Sequence, residues 1–310
     1  MSRSQKEITE SFFDDNKGNL VVLLGNGLNN YIHYHNKLPN ELTWHELLLK
    51  MAKKFLPNSE IERYLRPYKG KNANNQDISY QEVFTSMTQA IDENLHEKIA
   101  LEMKKMSSTT SDFHRRFCTK LHSKSIPIIT TNYDKLLENS IGKGKYFGNN
   151  RATYLLENYY VIPTTSFRDF SIWHMNGVED NPKSLRLGFN DYCNYISYLC
   201  NHYPQIKHID ASIWDAYPNL EFSWLKLLFE RKVIILGLTL NQDEIVLRWL
   251  LHRRNRYFRI CFQNNENTGW FLYSTEQGDI PTGRRIFLES VGIEPIAVDS
   301  YDALYKPFLE

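Results

Sequence analysis

Short aliphatic runs that end in glycine or in clusters of polar residues constrain this chain most. "KVIILGL" at 232 to 238 is apolar without alternation, and "LVVLL" at 20 to 24 and "IPIIT" at 126 to 130 share the pattern. A strand with no polar face is covered on both sides, as in parallel sheets flanked by helices. Segments of helical periodicity lie between these runs. "TWHELLLKMAKKFL" opens on Thr43 with Glu46 three residues on, a capping-box signature. Residues 79 to 106 repeat the device with Ser79 and Glu82, then place Val83, Met87, Ala90, Ile91 and Leu95 at helical spacing. A third helix over 111 to 122 carries Phe113, Phe117 and Leu121 on one stripe.

"ENYYVIP" (157 to 163), "FSIWHM" (170 to 175), "YFRICF" (257 to 262) and "EPIAV" (294 to 298) read as further strands, and "FSWLKLLFE" and "DEIVLRWLLHR" as helices. The polar segment "QNNENTGWFLYSTEQGDIPTG" reads as a surface excursion. The expected fold is α/β, a Rossmann-like parallel sheet with helices on both faces. It forms a single domain over 1–310, with a helical insertion over 40–122 after the first strand. The 310 residues are 42% hydrophobic and 24% charged, enough for a packed core. With 37 basic and 36 acidic residues, the charge balance gives no reason to expect direct nucleic-acid binding or an anionic membrane partner. The basic run Arg248, Arg253, Arg254, Arg256 and Arg259 reads as a solvated helix end and loop. None of the four cysteines forms a C-x-x-C pair, so no metal is expected. No apolar stretch is long enough to span a bilayer, and the expectation is a cytoplasmic protein.

In an open parallel sheet, ligands bind outside the carboxyl ends of the strands. Four strand ends are unusual here: "LLGNGLNN", "IITTNYD", "SIWHMNG" and "IILGLTLNQDE". Gly25 and Gly27 permit a tight turn and close approach to a phosphate, although Asn30 stands where the dinucleotide fingerprint has its third small residue. Asn132 offers a non-titrating carboxamide suited to a ribose hydroxyl or a water, and equally to an Asx turn. Asp134 reads first as a cap of the next helix and Tyr133 as a packing residue. His174 and Asn176, two apart on a strand, are expected on one face, with His174 able to accept a proton near neutral pH. Gly237 and Thr239 fit a nucleotide ribose or a routine strand-to-helix turn.

Taken in order, these strand ends resemble the sirtuin-like (silent-information-regulator-like) family, in particular its divergent bacterial members that consume NAD in antiphage defence. The matching stretches are Gly25-Asn26-Gly27, Thr131-Asn132-Tyr133-Asp134, His174-Met175-Asn176-Gly177 and Gly237-Leu238-Thr239-Leu240, with "LRLGFNDYCNYI" at 185 to 196. The resemblance implies hydrolysis of NAD at the nicotinamide–ribose bond. Asn132 and His174 would be catalytic, and Gly25, Asn26, Gly27, Asn30, Thr131, Asp134, Asn176, Gly237 and Thr239 would contact NAD. The chain departs from protein-deacylating sirtuins in two ways. It has no arginine between Arg3 and Arg63, and it lacks their four-cysteine zinc module. In the family a histidine directly precedes the glycine, the slot that Asn176 fills. The resemblance also implies a homo-oligomer and a defence partner such as a HerA-type ATPase or an Argonaute-like protein. The alternatives are a nucleotide-binding regulatory subunit without turnover and a partner-dependent nuclease.

Overall fold

A computed structural model describes residues 10–35, 37, 43–56, 84–87, 94–142, 144–149, 151–163, 165–204, 206, 213–242, 244–261 and 268–310. Its strands are β1 (Leu20–Leu24), β2 (Ile128–Thr130), β3 (Lys145–Phe147), β4 (Tyr159–Val161), β5 (Ile172–His174), β6 (Lys232–Leu236), β7 (Gly269–Ser274) and β8 (Ile293–Val298). They form one sheet in the order β3-β4-β5-β2-β1-β6-β7-β8. The pairs β2–β5, β1–β2, β1–β6, β6–β7 and β7–β8 are parallel; β3–β4 and β4–β5 are antiparallel. This is the mostly parallel α/β sheet expected.

The aliphatic strands lack alternation because both faces are buried. Val21, Leu23, Ile129, Trp173, Val233 and Ile235 enter one core. Leu20, Val22, Leu24, Ile128, Ile172, Ile234 and Leu236 enter the other. The two-residue period of a strand thus sorts one apolar run into two cores. Register then levels the strand ends. Leu24 pairs with Thr130 and with Leu236, and Thr130 pairs with His174, so β1, β2, β5 and β6 stop side by side.

The described helices are α1 (Glu10–Asp15), α2 (Gly27–Tyr34), α3 (Trp44–Phe55), α4 (Leu95–Met106), α5 (Asp112–Ser123), α6 (Leu136–Ile141), α7 (Phe189–His202), α8 (Ile213–Ala216), α9 (Trp224–Glu230), α10 (Ile245–Cys261), α11 (Thr282–Ser290) and α12 (Tyr301–Leu309). The cap at the start of α3 is as expected, with Thr43 Oγ1 accepting from the Glu46 amide at 3.2 Å. The Ser79–Glu82 device lies outside the described residues. α3 and α4 bury a third cluster, Leu48, Met51, Ile99 and Met103, against Tyr133, Leu185 and Leu187. These two helices are therefore packed directly against the residues that follow β2.

Three expectations need correction. "YFRIC" is the last turn and a half of α10, where Tyr257 and Phe258 pack into a core. A short apolar run does not itself distinguish buried helix from buried strand. The supposed surface excursion contains β7, an interior strand of the sheet whose Trp270 and Leu272 enter one core and Phe271 the other. Arg254, read as a solvated arginine, is fully buried. Its guanidinium donates to the carbonyls of Leu228 (2.6 Å), Arg231 (2.5 Å) and Thr268 (2.6 Å), tying the ends of α9 to the approach to β7. Among the described residues no helix is long and apolar enough to cross a membrane.

Candidate active site

Chain order runs from β1 outward through β2 on one side and from β6 outward on the other. The sheet's switch point is therefore the crevice between β1 and β6, where parallel sheets bind ligands. A cavity of 1190 Å³ opens there. This exceeds the usual several hundred Å³ of a small-molecule pocket and leaves room for a dinucleotide. Of the residues expected in the site, Asn26, Gly27, Asn30, Thr131, Asn132, Asp134, Gly237 and Thr239 line it; Gly25, His174 and Asn176 do not.

The glycines at the end of β1 serve a different purpose from the one expected. The Gly25 amide donates to Leu236 O and the Gly27 amide to Gly237 O, both at 2.9 Å. Neither N–H is left for a phosphate. A Cβ on Gly25 would stand 2.4 Å from Gly237 O, and one on Gly27 2.5 Å from Gly237 Cα. Gly237 itself has φ +66°, a conformation that favours glycine. The three glycines clasp the β1 and β6 loops together. An anion would instead meet the start of α2, whose first residue, Gly27, lines the cavity.

The end of β2 is held by its own polar side chains. Thr130 Oγ1 donates to Leu24 O at 3.0 Å and accepts from the Asn132 amide at 3.1 Å. This tie presents Asn132 to the cavity. Among the described residues its carboxamide makes no hydrogen bond. Asp134 Oδ1 accepts from the Leu136 amide at 3.1 Å, the expected cap of α6. Its Oδ2 accepts from Asn29 Nδ2 at 3.0 Å. Burial pushes the Asp134 carboxyl above its ordinary value, against the opposing pull of the Leu136 amide and the nearby His174 charge.

His174 sits behind the cavity wall and is only 3% exposed. Its Nδ1–H donates to Asn132 O at 2.7 Å, and Nε2 lies 2.6 Å from Glu138 Oε1. Burial alone would lower its pKa, but the Glu138 carboxylate and the two acceptors outweigh burial and raise it. Burial likewise works to raise Glu138, and the His174 charge with hydrogen bonds from His174 and Tyr146 brings it below its ordinary value. The pair is a buried imidazolium–carboxylate that braces the Asn132 loop from beneath. Its ring has no nitrogen free to take a proton from a ligand. β5 also ends at His174, so Asn176 stands in the turn beyond and the shared-face argument fails.

Two further acids went unnoticed in the sequence. Glu244 lines the cavity, accepts weakly from Thr239 Oγ1 at 3.4 Å, and has a buried Oε2 with no partner among the described residues. Burial pushes it up to about 7. Glu179 accepts from Ser107 Oγ at 2.8 Å, and Ser107 lines the cavity. Burial likewise pushes Glu179 up to about 7. The signal for Glu244 was an acid just past a strand end, which reads equally as helix-start chemistry. Among the described residues there is no group of three or more His, Cys, Asp or Glu side chains placed to hold a metal.

A family model described as SIR2-like domain matches residues 127–296, just over half of the chain. No curated protein matches. The matched span holds β2 through most of β8, and with them Asn132, Asp134, His174, Gly237 and Thr239. With a sheet of this topology and a cavity at its switch point, the chain belongs to the SIR2-like family, whose members are NAD-dependent enzymes, and its function is NAD-related.

Proposed function

We propose that the cavity binds NAD and that the protein hydrolyses the nicotinamide–ribose bond. The observation that carries this reading is Asn132, whose backbone is held by the Thr130 and His174 side chains and whose carboxamide is open to a cavity large enough for a dinucleotide. The start of α2 is the favoured end for the pyrophosphate. Thr239 and Glu244 offer a hydroxyl and a carboxylate to the adenosine ribose. Cleavage to a neutral nicotinamide builds positive charge on the sugar, as in glycoside hydrolysis. Such a reaction gains more from fixed dipoles and negative charge beside the sugar than from a strong base. Asn132 and Asp134 supply these, with His174 and Glu138 holding Asn132 in place. The absence of a deacylase-type arginine loop and cysteine quartet in the sequence favours water over a peptide as the acceptor. Depletion of NAD in antiphage defence, under control of an oligomer or of an ATPase or Argonaute-like partner, is the setting we propose for the activity.

A second reading has its own observation. His174 is enclosed and both its ring nitrogens are engaged, so it cannot serve a ligand as a base, as would suit a nucleotide-binding regulatory subunit without turnover. One experiment separates the two. Nicotinamide release and NAD binding are measured for the wild type and Asn132→Ala, alone and with co-purifying proteins. Release that disappears in the variant supports hydrolysis. Binding without release in every condition supports the regulator. No binding sinks both.

A further inference from the structure

α5 carries a histidine that does not line the cavity but is linked through Asn29 to Asn26, which does. His114 is fully buried. Its Nδ1 lies 3.2 Å from the Ser111 backbone nitrogen, and an amide N–H only donates, so Nδ1 accepts. The ring proton is therefore on Nε2, which lies 3.0 Å from Asn29 Oδ1. Burial reinforces the neutral ring by pushing its pKa down to about 4.

This one proton sets the direction of everything downstream. With Asn29 Oδ1 accepting from His114, Asn29 Nδ2 donates to Asn26 Oδ1 and Asp134 Oδ2, each at 3.0 Å. With Asn26 Oδ1 filled, Asn26 Nδ2 donates to Asn30 Oδ1 at 3.2 Å. Asn30 is then left to offer its Nδ2 donors, and Asn26 and Asn30 both line the cavity. A carboxamide can otherwise sit either way round at almost equal energy, presenting an acceptor where a donor is needed.

We propose that His114 is a positioning residue for ligand binding. Its Nε2–H fixes the sense of the Asn29, Asn26 and Asn30 carboxamides and anchors Asp134, so that this wall presents N–H donors to the phosphate or sugar oxygens of NAD. The proposal rests on the reading that the cavity holds NAD. It assigns a role to residues 26–30 and 114, all outside the family-matched span.

Two substitutions separate orientation from helix capping. In His114→Asn the short side chain retains an acceptor for the Ser111 amide but cannot reach Asn29. In His114→Gln the longer side chain retains a donor for Asn29 but loses the acceptor at the cap. The expected result is a crossed pattern. His114→Asn keeps a near-native Tm and loses about tenfold in NAD affinity, the effect of one misdirected buried hydrogen bond. His114→Gln loses Tm but stays within about threefold of the wild-type affinity. A ligand-free readout accompanies it: slow hydrogen exchange of the Asn29 side-chain amide in wild type and His114→Gln, fast in His114→Asn. Affinity that tracks Tm in both variants, or an unprotected Asn29 amide in the wild type, overturns the proposal. A wild type that binds no NAD yet shows the exchange pattern removes the NAD reading and leaves the oriented wall standing.

Discussion

His174→Ala tests whether the histidine of the third strand end is a base or a brace. The side chain is 3% exposed and Glu138 is 2% exposed, so the pair lies beyond solvent screening. Alanine deletes the bonds to Asn132 O and Glu138 Oε1 and leaves Glu138, among the described side chains, with the Tyr146 hydroxyl at 2.9 Å. Glu138 Oε2 already has no partner among the described residues. Stranding one member of a buried ion pair costs about 3–5 kcal/mol. At about 2 °C per kcal/mol for a chain this long, Tm falls by roughly 6–10 °C. The pair also imposes a pH window. His174, raised in the fold, contributes fully below its ordinary 6.5, and its contribution is lost as pH rises through the raised value. Glu138, lowered in the fold, contributes fully above its ordinary 4.5, and its contribution is lost as pH falls through the lowered value. The gap between wild type and His174→Ala is therefore widest between pH 4.5 and 6.5. The assay is thermal unfolding across pH, with Glu138→Gln added as the second arm of a double-mutant cycle. Coupling between the two sites supports the brace. An unchanged Tm with abolished NAD cleavage would refute it and restore His174 as the proton acceptor.

Gly27→Ala drives a methyl group into Gly237 Cα at 2.5 Å and should open the clasp between the β1 and β6 loops. The expected loss is about 1–3 kcal/mol of stability with weakened NAD binding, read by calorimetry; wild-type affinity would show the clasp to be dispensable. Glu244, with its carboxyl raised to about 7, contributes most to stability below its ordinary 4.5, and that contribution is lost as pH rises toward 7. Glu244→Gln carries no charge, so its Tm relative to wild type should climb between pH 5 and 8; a pH-independent difference contradicts this. Arg254→Met removes the guanidinium bonds to the Leu228, Arg231 and Thr268 carbonyls, leaving Thr268 O, among the described residues, only its bond from the Val233 amide, and should cost about 3 kcal/mol or more, measured by denaturant unfolding.

Where a residue's neighbours in sequence are its neighbours in space, the sequence was readable. β1, β2 and β6 announced themselves by unbroken aliphatic runs, and Thr43 and Asp134 by local caps. The position of Asn132 beside the cavity was legible because a polar strand end in a parallel sheet borders the ligand crevice, although the same residue read equally as an Asx turn. β7 was hidden because its six residues sit between polar flanks, and Arg254 because nothing local reveals three distant carbonyls. The glycine turn was found but its reason was not: the atoms that forbid a side chain at Gly25 and Gly27 belong to Gly237, two hundred or so residues away. His174 misled for a related reason. The partner that turns it from a base into a cation is Glu138, on a helix where an acid looks like surface.

The sheet's central strand is also the first to be made. β1 is entirely buried, yet its two partners, β2 and β6, begin at Ile128 and Lys232. At the usual pace of synthesis, β1 leaves the ribosome roughly 10–40 s before β6. During that interval an unpaired "LVVLL" edge waits in solution, the sort of segment that aggregates or recruits a chaperone. The same delay has a protective side. The crevice between β1 and β6 does not exist on a nascent chain that stops short of residue 240, so no partly made copy can assemble the cavity.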